Sequence, residues 1–276
     1  PWAPNTICCN AVVHAYLPDQ KQLLGWVGII LMRNEENMSQ PLAILAPGLL
    51  CDERLFAPIM DVFAAHGYET LLVTHHLDDS LGGIVSRLRA QVEKNREVLL
   101  VGLSMGGYIV LEAFFSHIGI PKGLVLLNTN ARADREDQKE MRRRLVEQST
   151  LGRFTGVTKK LAPMFLSEKN LQNQDLVEVI IGMGEAIGQE GYARQQMAIM
   201  NRQDRRQDLP QIEVPTLIMV GEEDQITPPK VAREMHDLIP DSKLVEVPEC
   251  GHLVPLEVPE LCKAELALLM GKIAKN

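Results

Sequence analysis

The chain has 276 residues, 46% of them hydrophobic, and a formal charge of −8, so it can bury a large core. The acidic balance, without interleaved basic and aromatic residues, excludes a nucleic-acid surface. Five cysteines, Cys8, Cys9, Cys51, Cys250 and Cys262, have an odd count and no metal-ligand spacing, and read as free thiols in a reducing, cytoplasmic setting.

Residues 1–37 differ in pattern from the rest of the chain. Leu23 to Met32 is apolar but too short to span a bilayer, and no charged segment with a small-residue cleavage site precedes it, so neither an anchor nor a secretory signal is expected. Two readings stand. Ala11 to Leu17 and Leu23 to Met32 form a strand-turn-strand hairpin on a sheet edge, or translation starts naturally at Met38, behind the purine-rich codons of Asn34 to Asn37. The second is the expectation.

From Met38 onward, strands and helices alternate. Leu42 to Ala46 is a buried-strand run that ends in Pro47-Gly48-Leu49-Leu50 and leads to a helical stretch from Phe56 to His66. Glu69 to Thr74 is the next strand, and a polar turn at Asp78 to Ser80 opens a helix from Leu81 to about Lys94. Val98 to Val101, Gly123 to Asn128, Pro215 to Val220 and Lys243 to Val247 read as further strands. Helices are expected over Tyr108 to Phe115, Pro228 to Leu238 and Pro255 to Met270. This order predicts a doubly wound, mostly parallel sheet with helices on both faces, built from residues 38–130 and 210–276.

Residues 131–209 break the alternation and read as an inserted helical cap. Leu176, Val179, Ile180, Met183 and Ile187 fall on one helical face, and Ala193, Met197 and Met200 on another. The cap methionines, Met164 and Met183 among them, either line an adaptable pocket or simply pack the cap on the core. Arg142-Arg143-Arg144 reads as a solvated helix face rather than an anion site.

Chemistry concentrates at Gly102-Leu103-Ser104-Met105-Gly106-Gly107, a G-x-S-x-G turn between a buried strand and an apolar helix. Small residues at Gly102 and Gly106 let Ser104 sit on a strained turn that exposes its hydroxyl. The Met105 N–H then lies at a helix N-terminus, where it can stabilise an oxyanion. A serine hydroxyl needs a base, and the base needs a carboxylate to fix its tautomer. Asp224 follows the fifth of these strands and His252 the sixth, so both loops open on the carboxyl edge of the sheet, as the turn at Ser104 does. Glu222 and Glu223 are alternative acids, but Asp224 holds the position just before the structure restarts at Ile226 and Pro228. The other histidines, His14, His66, His75, His76, His117 and His236, lie mostly in or beside helices and read as surface or packing residues. Cys250 lacks an elbow and reads as an inert buried thiol. A second oxyanion donor is expected from the loop after Leu42 to Ala46, at the Leu49 N–H, with Leu50, Cys51 and Phe56 beside it.

These residues, in the order Ser104, Asp224, His252, resemble the α/β-hydrolase superfamily, and the resemblance covers Pro41 to Met270. The Pro47-Gly48-Leu49-Leu50-Cys51-Asp52 loop is similar to that of small bacterial hydrolases and carboxylesterases, with Pro47 in place of the common histidine. The resemblance implies a cofactor-free serine carboxylesterase acting on small-molecule esters of small to medium acyl chain. Triad logic makes Ser104 the nucleophile, His252 the base, Asp224 its orienting acid, and Leu49 and Met105 the oxyanion donors; Leu50, Met164 and Met183 are the expected substrate contacts, with no metal and no membrane or nucleic-acid partner. Hydrolysis of a thioester, lactone or carbon–carbon bond, or ligand capture by a receptor on the same fold, stand as alternatives.

Overall fold

The computed structural model describes residues 40–151 and 154–275, so the hairpin and Met38 readings lie outside the described residues. Six strands, β1 (Leu42–Ala46), β2 (Glu69–Leu72), β3 (Glu97–Leu103), β4 (Ile120–Leu127), β5 (Thr216–Gly221) and β6 (Ser242–Val247), form one sheet in the order β2-β1-β3-β4-β5-β6. Every pairing is parallel. Strands β1, β3 and β5 are apolar along most of their length because helices cover both faces, leaving no solvent side to call for polar alternation. One apolar cluster joins Leu45, Leu99, Val101 and Leu217 on one face, and another joins Ile44, Leu100, Leu126 and Ile218 on the other.

The helices of this framework are α1 (Met60–Ala65), α2 (Leu81–Arg89), α3 (Met105–Phe115), α6 (Pro229–Leu238), α7 (Val254–Glu257) and α8 (Pro259–Ile273), with α4 (Glu136–Ser149) and α5 (Gln174–Met200) between β4 and β5. Two helices depart from the sequence expectation. Helix α2 stops at Arg89, where Gln91 N–H turns back to Leu88 O at 2.9 Å and sends the chain toward β3. The closing helix is split at Val258 (φ −139°, ψ 57°), because the ring of Pro259 disfavours helical geometry in the residue before it.

Between β4 and β5 the described residues hold only helices and turns. The two apolar faces expected there belong to the two halves of α5, which meet at Gly188 (φ 69°, ψ 175°). The arginine triplet differs from its expected solvated face. Arg143 and Arg144 pair on the surface with Glu140, but Arg142 turns inward to Asp134 (2.6 Å) and Gln196 (2.7 Å), joining α4 to α5. Among the described residues no helix is long and apolar enough to cross a membrane.

Candidate active site

Because all six strands are parallel, their C-terminal ends share one edge, and each end delivers a residue to the same region. The sharpest local feature is the turn between β3 and α3. Ser104 has φ 54° and ψ −114°, a conformation costly for a residue with a side chain and held only where the surroundings over-determine it. Those surroundings are specific. Ser104 N–H donates to Leu127 O (3.0 Å), while Ser104 O accepts from Gly107 N–H (2.9 Å) and from the Thr129 hydroxyl (2.7 Å). The turn is also tight: a Cβ on Gly106 would sit 1.8 Å from Ala46 O, and one on Gly102 would sit 2.3 Å from Gly106 O.

Two strands away, Asp224 follows β5 and is buried together with His252, which follows β6. A Cβ on Gly221 would lie 2.1 Å from Gly251 O, so the two loops approach backbone to backbone only because that position is glycine. Asp224 Oδ2 accepts from His252 Nδ1 (2.8 Å), the Thr227 hydroxyl (2.7 Å) and Asn128 Nδ2 (2.9 Å), and Oδ1 accepts from Ile226 N–H (2.8 Å) and Thr227 N–H (2.9 Å). Burial alone would raise the Asp224 pKa, but the His252 charge and hydrogen bond, with those from Asn128 and Thr227, outweigh it and hold the carboxyl below its ordinary value. An ionised carboxylate only accepts, so Nδ1 of His252 carries a proton and neutral imidazole presents a bare Nε2 as base. Nδ1 takes both of the ring's hydrogen bonds among the described residues; none links Nε2 to Ser104 Oγ. In unliganded sites that contact is often open and closes around substrate. Glu223 takes no part in this arrangement; its carboxylate accepts from the backbone of Glu168 on the surface.

The histidine loop is braced by a residue the sequence reading missed. Glu257 Oε1 accepts from Gly251 N–H (3.0 Å) and Leu253 N–H (3.1 Å), on either side of His252, while Oε2 accepts from Ser167 N–H (2.8 Å) and Asn170 Nδ2 (3.0 Å) of the cap segment. His252 N–H donates in turn to Phe165 O at 2.8 Å. Asn128 is legible in the sequence only as the end of a strand; the structure places it, with φ 43°, between the acid and histidine loops, where it also donates to Gly251 O.

On the other flank, β1 ends in the loop from Pro47 to Asp52. Among the described residues neither Leu49 N–H nor Met105 N–H is engaged in a hydrogen bond, whereas Leu50 N–H donates to Gln195 of α5 and Cys51 N–H to Gly48 O. Leu50 and Met183 are buried in one apolar cluster beneath the cap, with Phe56, Val157 and Tyr192. Met164 is 47% exposed on a surface turn and does not join them. Burial raises the thiol pKa of Cys250 and pushes Cys51 and Cys262 to about 12, leaving all three protonated at neutral pH. His75 is buried just beyond β2, with its Nε2 2.9 Å from Gly48 O. No group of three or more His, Cys, Asp and Glu side chains among the described residues is placed to hold a metal ion.

The arrangement can therefore perform acyl transfer: a half-buried hydroxyl on a strained turn, an imidazole with its tautomer fixed, and two free N–H groups for a developing oxyanion. Residues 43–265 match the profile of the alpha/beta hydrolase family. An uncharacterized hydrolase, YugF, from Bacillus subtilis (strain 168) is 26% identical over 185 residues, which span 62% of this chain and 64% of that protein. Among solved structures, a thermophilic esterase from Thermogutta terrifontis, with malate bound, superposes with a TM-score of 0.73 at 24% identity, covering 84% of this chain and 90% of its own. MenH from S. aureus gives a TM-score of 0.73 at 20% identity, covering 86% and 96%. At such identities the solved structures attest the fold.

Proposed function

Since this chain belongs to the alpha/beta hydrolase family, we propose that it is a serine carboxylesterase that cleaves esters of small to medium acyl chain through an acyl-enzyme on Ser104. The observation that carries the reading is the Asp224–His252 pair at 2.8 Å. Its five-donor carboxylate makes Nε2 the only ring nitrogen free to take a proton.

In this mechanism Ser104 Oγ attacks the ester carbonyl carbon as its proton passes to His252 Nε2. The imidazolium that forms is stabilised by Asp224, and the carbonyl oxygen becomes an oxyanion between the N–H groups of Leu49 and Met105. Collapse of the tetrahedral intermediate breaks the bond to the alcohol oxygen, which leaves with the proton from Nε2. Water then attacks the acyl-enzyme by the same route, giving its proton to His252, and Ser104 recovers a proton as the acid departs. Leu50 and Met183 form the apolar wall for the acyl group.

A panel of p-nitrophenyl esters from acetate to palmitate, run beside thioester and lactone substrates, tests the assignment. Turnover of the shorter esters with a nitrophenol burst of one per chain supports it. Preference for a thioester or lactone moves the substrate class, and slow single-turnover binding replaces the enzyme by a receptor.

A further inference from the structure

The oxyanion loop is held from outside the elbow. One planar peptide carries both Gly48 C=O and Leu49 N–H, and in a trans peptide these point in opposite directions, so whatever fixes Gly48 O aims the Leu49 donor. Gly48 O accepts from Cys51 N–H at 3.1 Å and has His75 Nε2 2.9 Å away. The next peptide is fixed by Leu50 N–H, which donates to Gln195 Oε1 at 3.1 Å, across 145 residues of sequence. Leu50 itself stands at φ 61°, a left-handed conformation that a leucine keeps only under restraint.

Donor and acceptor accounting extends this into a relay. Leu50 N–H can only donate, so the Gln195 oxygen faces it, and the Gln195 amide nitrogen lies 2.9 Å from His75 Nε2. His75 Nε2 thus lies within hydrogen-bond distance of both the Gln195 amide and, at 2.9 Å, Gly48 O, the carbonyl of the peptide that carries Leu49 N–H. Both side chains are fully enclosed, Gln195 at 0% and His75 at 1% exposure, so water cannot replace either bond. Gln195 lies in the second half of α5, whose seat is set by the neighbouring Gln196–Arg142 bond. The cap thus reaches the oxyanion loop through one amide.

We propose that Gln195 and His75 are positioning residues for the Leu49 oxyanion donor, so that the seating of the cap helix governs the rate of acyl transfer at Ser104. His75 contacts both Gly48 O and the Gln195 amide, Gln195 holds Leu50, and the held turn keeps Leu49 N–H aimed at the hole. This rests on the serine-esterase reading, and its test separates the two.

Gln195→Met keeps the side-chain volume and removes both hydrogen bonds. Using the p-nitrophenyl ester turned over best, kcat is expected to fall about 10- to 100-fold, short of the ~10²–10³ lost when an oxyanion donor is removed outright, with KM within about threefold of the parent. An alkyl trifluoromethyl ketone, which forms an oxyanionic hemiketal on the serine, should lose affinity by the same factor as kcat/KM, a correlation that loosened packing alone does not produce. If Gln195→Met does not melt cooperatively, Gln195→Asn, which withdraws the amide by one methylene, is measured in its place. A folded variant that keeps kcat within about twofold, or that loses kcat without losing ketone affinity, overturns the proposal. Phosphonate labelling of the parent at Ser104 is scored separately: if the parent is not labelled there, it is the esterase reading that fails.

Discussion

Replacing Asp224 by asparagine changes one atom, and the structure says which contacts that atom loses. The Ile226 and Thr227 N–H groups, at 2.8 and 2.9 Å, are fixed donors, so the asparagine oxygen must stay at the Oδ1 position. Its NH2 then replaces Oδ2, facing His252 Nδ1, the Thr227 hydroxyl and Asn128 Nδ2. Thr227 can rotate its hydrogen away, and the imidazole can accept at Nδ1 by moving its proton to Nε2, the wrong tautomer for a base. Asn128 cannot adapt, since its amide nitrogen also donates to Gly251 O. Turnover is therefore expected to fall ~10³–10⁴-fold, about 4–5.5 kcal/mol on the barrier. The donor left facing a donor should cost about 1–3 kcal/mol of stability. Steady-state ester hydrolysis and urea unfolding at neutral pH measure both, with Glu223→Gln, on the surface, as a control expected to match the parent. A folded Asp224→Asn variant within tenfold of parental turnover, or a large loss at Glu223→Gln, would refute the reasoning.

Burial has two further measurable outcomes. It pushes the His75 pKa down to about 4, so between about pH 6.5 and 4 the unfolded chain takes up a proton that the folded chain refuses. The stability tied to His75 is fully present above pH 6.5 and is lost by about 3 kcal/mol as the pH falls to 4; urea unfolding across that window should show a shallower pH dependence in His75→Gln, and equal dependence in the two proteins contradicts it. Iodoacetamide at neutral pH should leave Cys51, Cys250 and Cys262 unmodified in the folded protein and alkylate all three in urea, as peptide mapping reads. Rapid modification of native Cys250 would show a thiol more accessible than its burial implies.

The parts of this architecture that are legible in the sequence are those encoded locally. Gly102 to Gly107 announces its turn because strand pattern, small residues and helix pattern adjoin within a dozen positions. Asp224 and Gly251-His252 are legible because each follows a strand whose β-branched and apolar run identifies it. The features that escape a sequence reading are set by contacts between distant segments. Asn128 reads as an ordinary strand end until β5 is laid beside β4 and Asp224 arrives next to it. Glu257 sits on a short helix, and nothing in its neighbours reveals that it braces the backbone on both sides of His252. His75 reads as one more surface or packing histidine because its role depends on Gln195, brought to it by the folding of the cap. The kink at Gly188 likewise converts two expected faces into two halves of one helix.

The central claim is that Ser104 is the nucleophile, and covalent labelling tests it most directly. The parent and Ser104→Ala are treated with a fluorophosphonate and analysed by intact mass and peptide mapping, with ester turnover and melting measured on the same samples. Removing one hydroxyl should leave stability within about 1 kcal/mol of the parent, while turnover falls by several orders of magnitude because no acyl-enzyme can form. The account requires one label per parent chain, on Ser104, and none on the variant. A variant that retains near-parental turnover, or a parental label mapped to Cys250, would contradict it.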